Sequence, residues 1–106
     1  MENINEYQAW TADVWIKNAD PMLDITHALL GVTTEVGEVV DLFKKPWFAP
    51  QRVGGRTTVD KEELTKEIGD VVYYLSRLAG IMGINMSYVL AVNHEKLEQR
   101  YGSSNT

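Results

Sequence analysis

A chain of 106 residues with 10 lysines and arginines against 15 aspartates and glutamates carries a formal charge of −5, which argues against a basic face for nucleic acid. It has no cysteine, so disulfides, thiolate metal sites and a cysteine nucleophile drop out together, and no apolar run approaches the ~20 residues of a membrane span. A hydrophobic content of 44% with three tryptophans is that of a folded chain, expected to form one domain over 1–106 with a modest core.

In chain order the pattern predicts four helices and one long loop. The opening residues Met1–Glu6 show neither the basic nor the apolar stretch of a secretory leader. With the lack of cysteine this makes a cytoplasmic setting the expectation. The first helix is expected over 4–18. Tyr7, Trp10 and Val14, with Ala9 and Ile16, give it a broad apolar face; Asn3 or Asn5 can cap it, and Pro21 ends it.

The second helix is expected over 24–45, capped by Asp24 and stopped by Pro46. Leu29, Val32, Val36, Val39 and Phe43 recur along it at alternating spacings of three and four, which is a single apolar stripe. The segment 46–59 contains Pro46, Pro50 and the Gly54-Gly55 pair and reads as a loop. It is close to the length above which an unstructured connection is usually functional or mobile.

The third helix opens with Asp60-Lys61-Glu62-Glu63, which resembles a capping box. Leu64, Ile68, Val71, Leu75, Leu78 and Met82 make its stripe, and Gly83 is a natural residue just past its end. The fourth is expected over 86–100, from a cap at Asn85 or Ser87 through Val89, Leu90, Val92 and Leu97. Residues 103–106 read as a frayed tail. No strand pattern competes, so the expected fold is all-α, an antiparallel four-helix bundle. The first helix is too short to cover two long apolar faces, so self-association into a homo-oligomer is expected as well.

Two stretches in the second and third helices read almost alike: Glu35-Val36-Gly37-Glu38-Val39-Val40 and Glu67-Ile68-Gly69-Asp70-Val71-Val72. Helical positions i and i+3 share a face, with Cβ atoms roughly 5–6 Å apart. Each acid directly precedes a stripe residue, in the same phase on both helices. If the stripes face one another, all four carboxylates can line one groove. Such a cluster repels itself unless a cation sits within it, and all-oxygen ligation suits Mg²⁺ or Mn²⁺. Cations there would neutralise most of the chain's excess negative charge. One Glu-x-x-Glu alone is as well explained by a solvated face; the repeat in register, each copy with a central glycine and a following Val-Val, is what favours a metal site.

Gly37 and Gly69 sit in mid-helix, where glycine costs about 1 kcal/mol relative to alanine. They imply either the close approach of a helix or ligand, or ordinary tight packing. The same helix edges continue to Lys45, Tyr74 and Arg77, a cation, a phenol and a guanidinium suited to phosphate groups. His27 and His94 read as ordinary helix residues, since neither follows a glutamate by three positions as a di-iron bundle requires. The zinc-protease motif, the Gly-rich phosphate loop and the nucleophile elbow are all missing.

These residues resemble the MazG-like family of all-α nucleoside triphosphate pyrophosphohydrolases, which also includes the dCTP pyrophosphatases and dimeric dUTPases. Glu35, Glu38, Glu67 and Asp70 fill that family's Glu-x-x-Glu and Glu-x-x-Asp. The similarity extends through Leu29-Leu30-Gly31, Lys44-Lys45, Tyr73-Tyr74-Leu75 and Asn93-x-x-Lys96-Leu97-x-x-Arg100-Tyr101. The resemblance implies Mg²⁺-dependent hydrolysis of a nucleoside or deoxynucleoside triphosphate (an NTP or dNTP) between the α- and β-phosphates, giving a monophosphate and pyrophosphate.

It also implies roles. Glu35, Glu38, Glu67 and Asp70 would be the catalytic carboxylates and metal ligands, with Mn²⁺ an acceptable substitute for Mg²⁺. The bound ions would turn a water into a hydroxide nucleophile, and Glu38 or Glu35 would take its proton. Many relatives carry a further glutamate directly before the first motif, where this chain has Thr34, so the base is not assigned by position.

Lys45, Lys96 and Arg100 are candidates for phosphate contact and Asn93 for orienting a ligand group. Trp10, Trp47, Tyr74 and Gln8 are candidates for the base. The loop cations Arg52 and Arg56 could close over a triphosphate. Family members assemble as dimers or tetramers, and a tetramer is expected of a chain holding one short copy of the unit. The expected partners are the substrate and copies of the chain, with no nucleic acid and no membrane. Two alternatives stand: a non-catalytic helical interaction module, or the same fold acting on another phosphorylated nucleotide such as an alarmone.

Overall fold

The second helix starts earlier and ends later than its sequence pattern suggests. In the computed structural model, which describes residues 3–102, the helices are α1 (Ile4–Val14), α2 (Pro21–Phe48), α3 (Lys61–Ile81) and α4 (Met86–Tyr101), with a 3-10 turn at Pro50–Val53. There is no strand among the described residues, in keeping with the all-α expectation. The expected tail at 103–106 lies outside them. The fold divides into two compact units: an acidic unit, Asn18–Leu75, and a terminal unit, Met1–Lys17 with Ser76–Thr106. α3 contributes to both.

In the acidic unit the cap of α2 is Asp20 rather than Asp24. Its Oδ1 accepts the Met22 N–H at 2.9 Å, and Pro21 occupies the first turn, where its missing N–H costs nothing. Asp24 lies one turn inside, buried, and accepts from the Asn18 backbone and side-chain nitrogens at 2.7 and 3.0 Å. Pro46 does not stop the helix. It sits inside α2 and is fully buried, in a stretch of helix against which the 3-10 turn packs. The ladder resumes at once, with the Ala49 N–H bonding to the Lys45 carbonyl at 2.8 Å. A proline removes one bond and disfavours the helical geometry before it, and burial here outweighs that.

The connection after α2 is therefore shorter than the 46–59 loop expected, and Trp47 and Phe48 are helical. Gly54 and Gly55 close the 3-10 turn with φ of 66° and 82°, a region that favours glycine. α3 is capped as the sequence suggests: Asp60 Oδ1 accepts the Glu62 and Glu63 N–H groups at 3.0 and 3.2 Å. α2 and α3 run antiparallel, because Gly31 meets Tyr74 while Glu35 meets Glu67 and Asp70.

In the terminal unit Asn3 caps α1 through the Glu6 N–H at 2.9 Å. α1 ends at Val14, short of the expected residue 18, because Trp15 turns extended and lays its ring against the Arg77 guanidinium at 5.5 Å. Gly83 terminates α3 with φ of 72°, and the Ile84 and Gly83 N–H groups return to the Ala79 and Gly80 carbonyls at 2.7 and 3.0 Å.

Neither Asn85 nor Ser87 caps α4 with its side chain. The caps come from α1: Gln8 Oε1 accepts the Met86 N–H at 2.9 Å and Asn5 Oδ1 accepts the Ser87 N–H at 3.1 Å. Gln8 Nε2 also donates to the Ile84 and Ser76 carbonyls at 2.9 and 3.3 Å.

Among the described residues, Ala28, Pro46 and Met86 are buried apolar residues. The stripes are spaced as read, yet Leu29, Val36, Ile68, Leu75 and Met82 along them remain exposed. Large exposed apolar patches mark interaction surfaces. No single helix among the described residues is long and apolar enough to cross a membrane.

Candidate functional site

The two repeated motifs meet. Each occupies the middle of a long helix, and the antiparallel pairing of α2 with α3 sets one against the other. One carboxylate oxygen from each of Glu35, Glu67 and Asp70 lies within 4.8 Å of the others. Glu35 and Glu67 are half-buried and Asp70 is exposed. When both glutamates are ionised neither can donate a hydrogen bond, and Glu67 Oε2 is left buried with no partner. Burial, then proton sharing with Glu35, then the negative charges of Asp70, Glu35 and Glu38 raise the Glu67 carboxyl above its ordinary pKa. A divalent cation would offset these penalties by giving the carboxylates a positive partner. The donors are all carboxylate oxygens, so the set fits a hard ion of the Mg²⁺ or Mn²⁺ type.

Glu38 stands beside this trio. Its charge acts on Glu67, and the two line a cavity of about 150 Å³ together with Asp41, Lys45 and Arg56. The cavity thus joins acids of both motifs to two cations, one from α2 and one from the loop after the 3-10 turn. Lys45 Nζ lies 3.6 Å from the Asp41 carboxylate, while the Arg56 Nε donates to the Thr58 carbonyl at 3.1 Å. Asp41 was not singled out from the sequence. Its signal was present, since Glu35-x-x-Glu38-x-x-Asp41 continues the same spacing by one more step.

The other expected site residues divide by place. Tyr74 is in the acidic unit, edge-on to Tyr73 at 5.1 Å and 6.1 Å from the His27 ring, and its own ring covers Gly31. Trp47 is an exposed helical residue with its ring edge-on to Phe43 at 5.4 Å, not a loop residue. Trp10, Asn93, Lys96 and Arg100 belong to the terminal unit. There Trp10 lies 5.9 Å from Tyr7, Asn93 and Lys96 edge an apolar groove along α4, and the Arg100 guanidinium lies over Tyr101.

One expectation is corrected and one open alternative is narrowed. Gln8 is not available to a base, because its amide caps α4 and ties it to α3. Gly37 and Gly69 are not demanded by packing within the chain, for nothing lies within 4 Å of where a Cβ would stand on either. Within α2, Gly31 is a glycine that packing requires, since a Cβ there would collide with the Tyr74 ring.

The family model for the MazG nucleotide pyrophosphohydrolase domain matches residues 24–103, a span that contains both motifs. The chain is also similar to the "Gene 37 protein" of Mycobacterium phage L5, at 26% identity over 102 residues that cover 92% of this chain and 88% of that protein. No solved structure matches it.

Proposed function

Because the chain belongs to the MazG nucleotide pyrophosphohydrolase family, we propose that it hydrolyses a nucleoside or deoxynucleoside triphosphate to the monophosphate and pyrophosphate, using Mg²⁺ held by Glu35, Glu38, Glu67 and Asp70. The observation that carries this reading is the meeting of Glu35, Glu67 and Asp70 from two antiparallel helices, within 4.8 Å and with one oxygen buried and unpartnered. Bound Mg²⁺ supplies a Lewis acid for phosphate oxygens and lowers the pKa of a coordinated water.

The chain's own residues do the rest. The four carboxylates fix the ions. Glu38 or Glu35 takes the proton of the attacking water. Lys45 and Arg56, which share a cavity with Glu38 and Glu67, counter the charge that builds on the departing pyrophosphate. The exposed indole of Trp47, the ring of Tyr74 and that of Trp10 are the candidates for stacking on the base. Asn93, Lys96 and Arg100 complete the set as candidate contacts from α4. A cytoplasmic setting is part of the same proposal.

The uncovered apolar residues support assembly of several copies, and the preference for a homotetramer over a dimer rests on the chain holding one short copy of the unit. That reading needs neither a nucleic-acid nor a membrane partner.

The test is a panel of NTPs and dNTPs incubated with Mg²⁺ or Mn²⁺ and read separately for pyrophosphate and orthophosphate. At least one nucleotide should yield pyrophosphate and its monophosphate, with turnover abolished by chelation. Glu38→Gln and Asp70→Asn should each lower kcat by at least roughly two orders of magnitude, as expected where charge stabilisation dominates. A silent panel together with no Mg²⁺-induced rise in Tm would favour a non-catalytic interaction module.

A further inference from the structure

A second place in the fold carries an unmet charge. In the terminal unit a cavity of about 380 Å³ opens to solvent between α1 and the α3–α4 turn, a size that suits a small ligand. Arg77 projects from α3 into its wall. The residue is only 8% exposed, its Nε is buried with no hydrogen-bond partner, and none of the ion pairs among the described residues includes it. Its identified neighbour is the face of Trp15 at 5.5 Å. A cation–π contact offsets only part of the cost of taking a guanidinium out of water.

The surroundings favour an anion. Among the described residues, no acidic side chain lines the cavity. Asn85, at the positive N-terminal end of the 16-residue helix α4, does line it and makes no capping bond with its side chain. The amide of Gln8 is fully engaged in tying α1 to α3 and α4, so it shapes the wall and leaves the charge unanswered. Gly80 keeps the guanidinium accessible, since a Cβ there would stand 3.0 Å from Arg77 Nη1.

We infer that this cavity binds an oxyanion, a carboxylate or phosphoryl group, which the Arg77 fork grips with the Asn85 amide beside it. The guanidinium matches either group geometrically, and the charge-assisted bonds answer the buried cation. The inference carries further the expectation that the Arg77 guanidinium suits an anion, and its test requires no metal, so its failure is distinguishable from failure of the hydrolase reading.

The experiment uses the full chain without metal, in EDTA, so that the acid cluster repels rather than collects anions. Inorganic phosphate and succinate are titrated separately against chloride at matched ionic strength. Binding is followed by the Trp15 indole N–H resonance, assigned with Trp15→Phe. A saturable shift with phosphate assigns the site to phosphoryl ligands and one with succinate assigns it to carboxylates. In either case Arg77→Met should weaken binding roughly tenfold or more. Gly80→Ala keeps the charge and improves helix propensity, so it serves if Arg77→Met fails to fold; it should also weaken binding by displacing the guanidinium. The inference is overturned if neither anion gives a saturable shift beyond chloride, or if Gly80→Ala or a folded Arg77→Met binds as tightly as the parent. It is equally overturned if Arg77→Met lowers the oligomer mass while neither anion binds, since a carboxylate of a second copy would then be the partner.

Discussion

Glu67 holds the most consequential position of any single residue. Its carboxyl is pushed upward by burial, by sharing a proton with Glu35 and by three neighbouring negative charges. A carboxyl that holds its proton more tightly folded than unfolded stabilises the fold at low pH and withdraws that support as pH rises through the raised value. Metal-free protein should therefore lose stability as pH climbs above the ordinary 4.5. Glu67→Gln should flatten that fall, and Mg²⁺ should reverse it for the parent but not for the variant. Tm against pH, with and without Mg²⁺, reads all three effects. Gly31 makes the complementary case in packing. Gly31→Ala forces the Tyr74 ring aside and should cost about 1–3 kcal/mol in urea unfolding, the usual penalty of overpacking. Mid-helix glycines look alike in a sequence; only the facing ring tells Gly31 from Gly37 and Gly69.

Among the elements, α4 depends most on its neighbour. Its first N–H groups are capped by Asn5 and Gln8 of α1, so the start of one helix is built from the side chains of another. Gln8→Ala removes that cap and two further bonds to α3 and the following turn. It should destabilise the protein by about 2 kcal/mol, the upper range for a lost cap, and amide exchange at Met86 and Ser87 should rise more than at mid-α4. The caps at Asn3 and Asp60 could be read directly because they act within a few residues. That at α4 could not, because it spans a separation of 78 residues. α2 shows the same limit in reverse. Pro46 is locally a stop signal, yet it is fully buried, the 3-10 turn packs against the helix and the ladder continues.

At the scale of the molecule, the apolar area left in the open is the main fact. Leu29, Leu30, Val36, Val40, Ile68 and Leu75 are all exposed, and this is the apolar surface that the proposed assembly would cover. Light scattering should give a mass several times the 12.0 kDa of one chain. A monodisperse monomer at micromolar concentration would contradict the assembly proposed. The stripes are correct in period and covered only in part: Val32, Val39, Phe43, Leu64, Val71 and Leu78 are half-buried, while Leu29, Val36, Ile68 and Leu75 are exposed. Periodicity shows which side of a helix is apolar, but not whether its cover comes from the same chain.

The residues alone determined the helices, the repeated acid pairs, their common register and the ligand chemistry those oxygens prefer. These depend on spacing along the chain, which a helix converts into direction with little outside help. Tertiary structure decided which three acids meet, that Lys45 and Arg56 join Glu38 and Glu67, that α1 caps α4, and that Arg77 lies against Trp15. Those outcomes depend on how separate helices approach, and no local pattern encodes the distance between them.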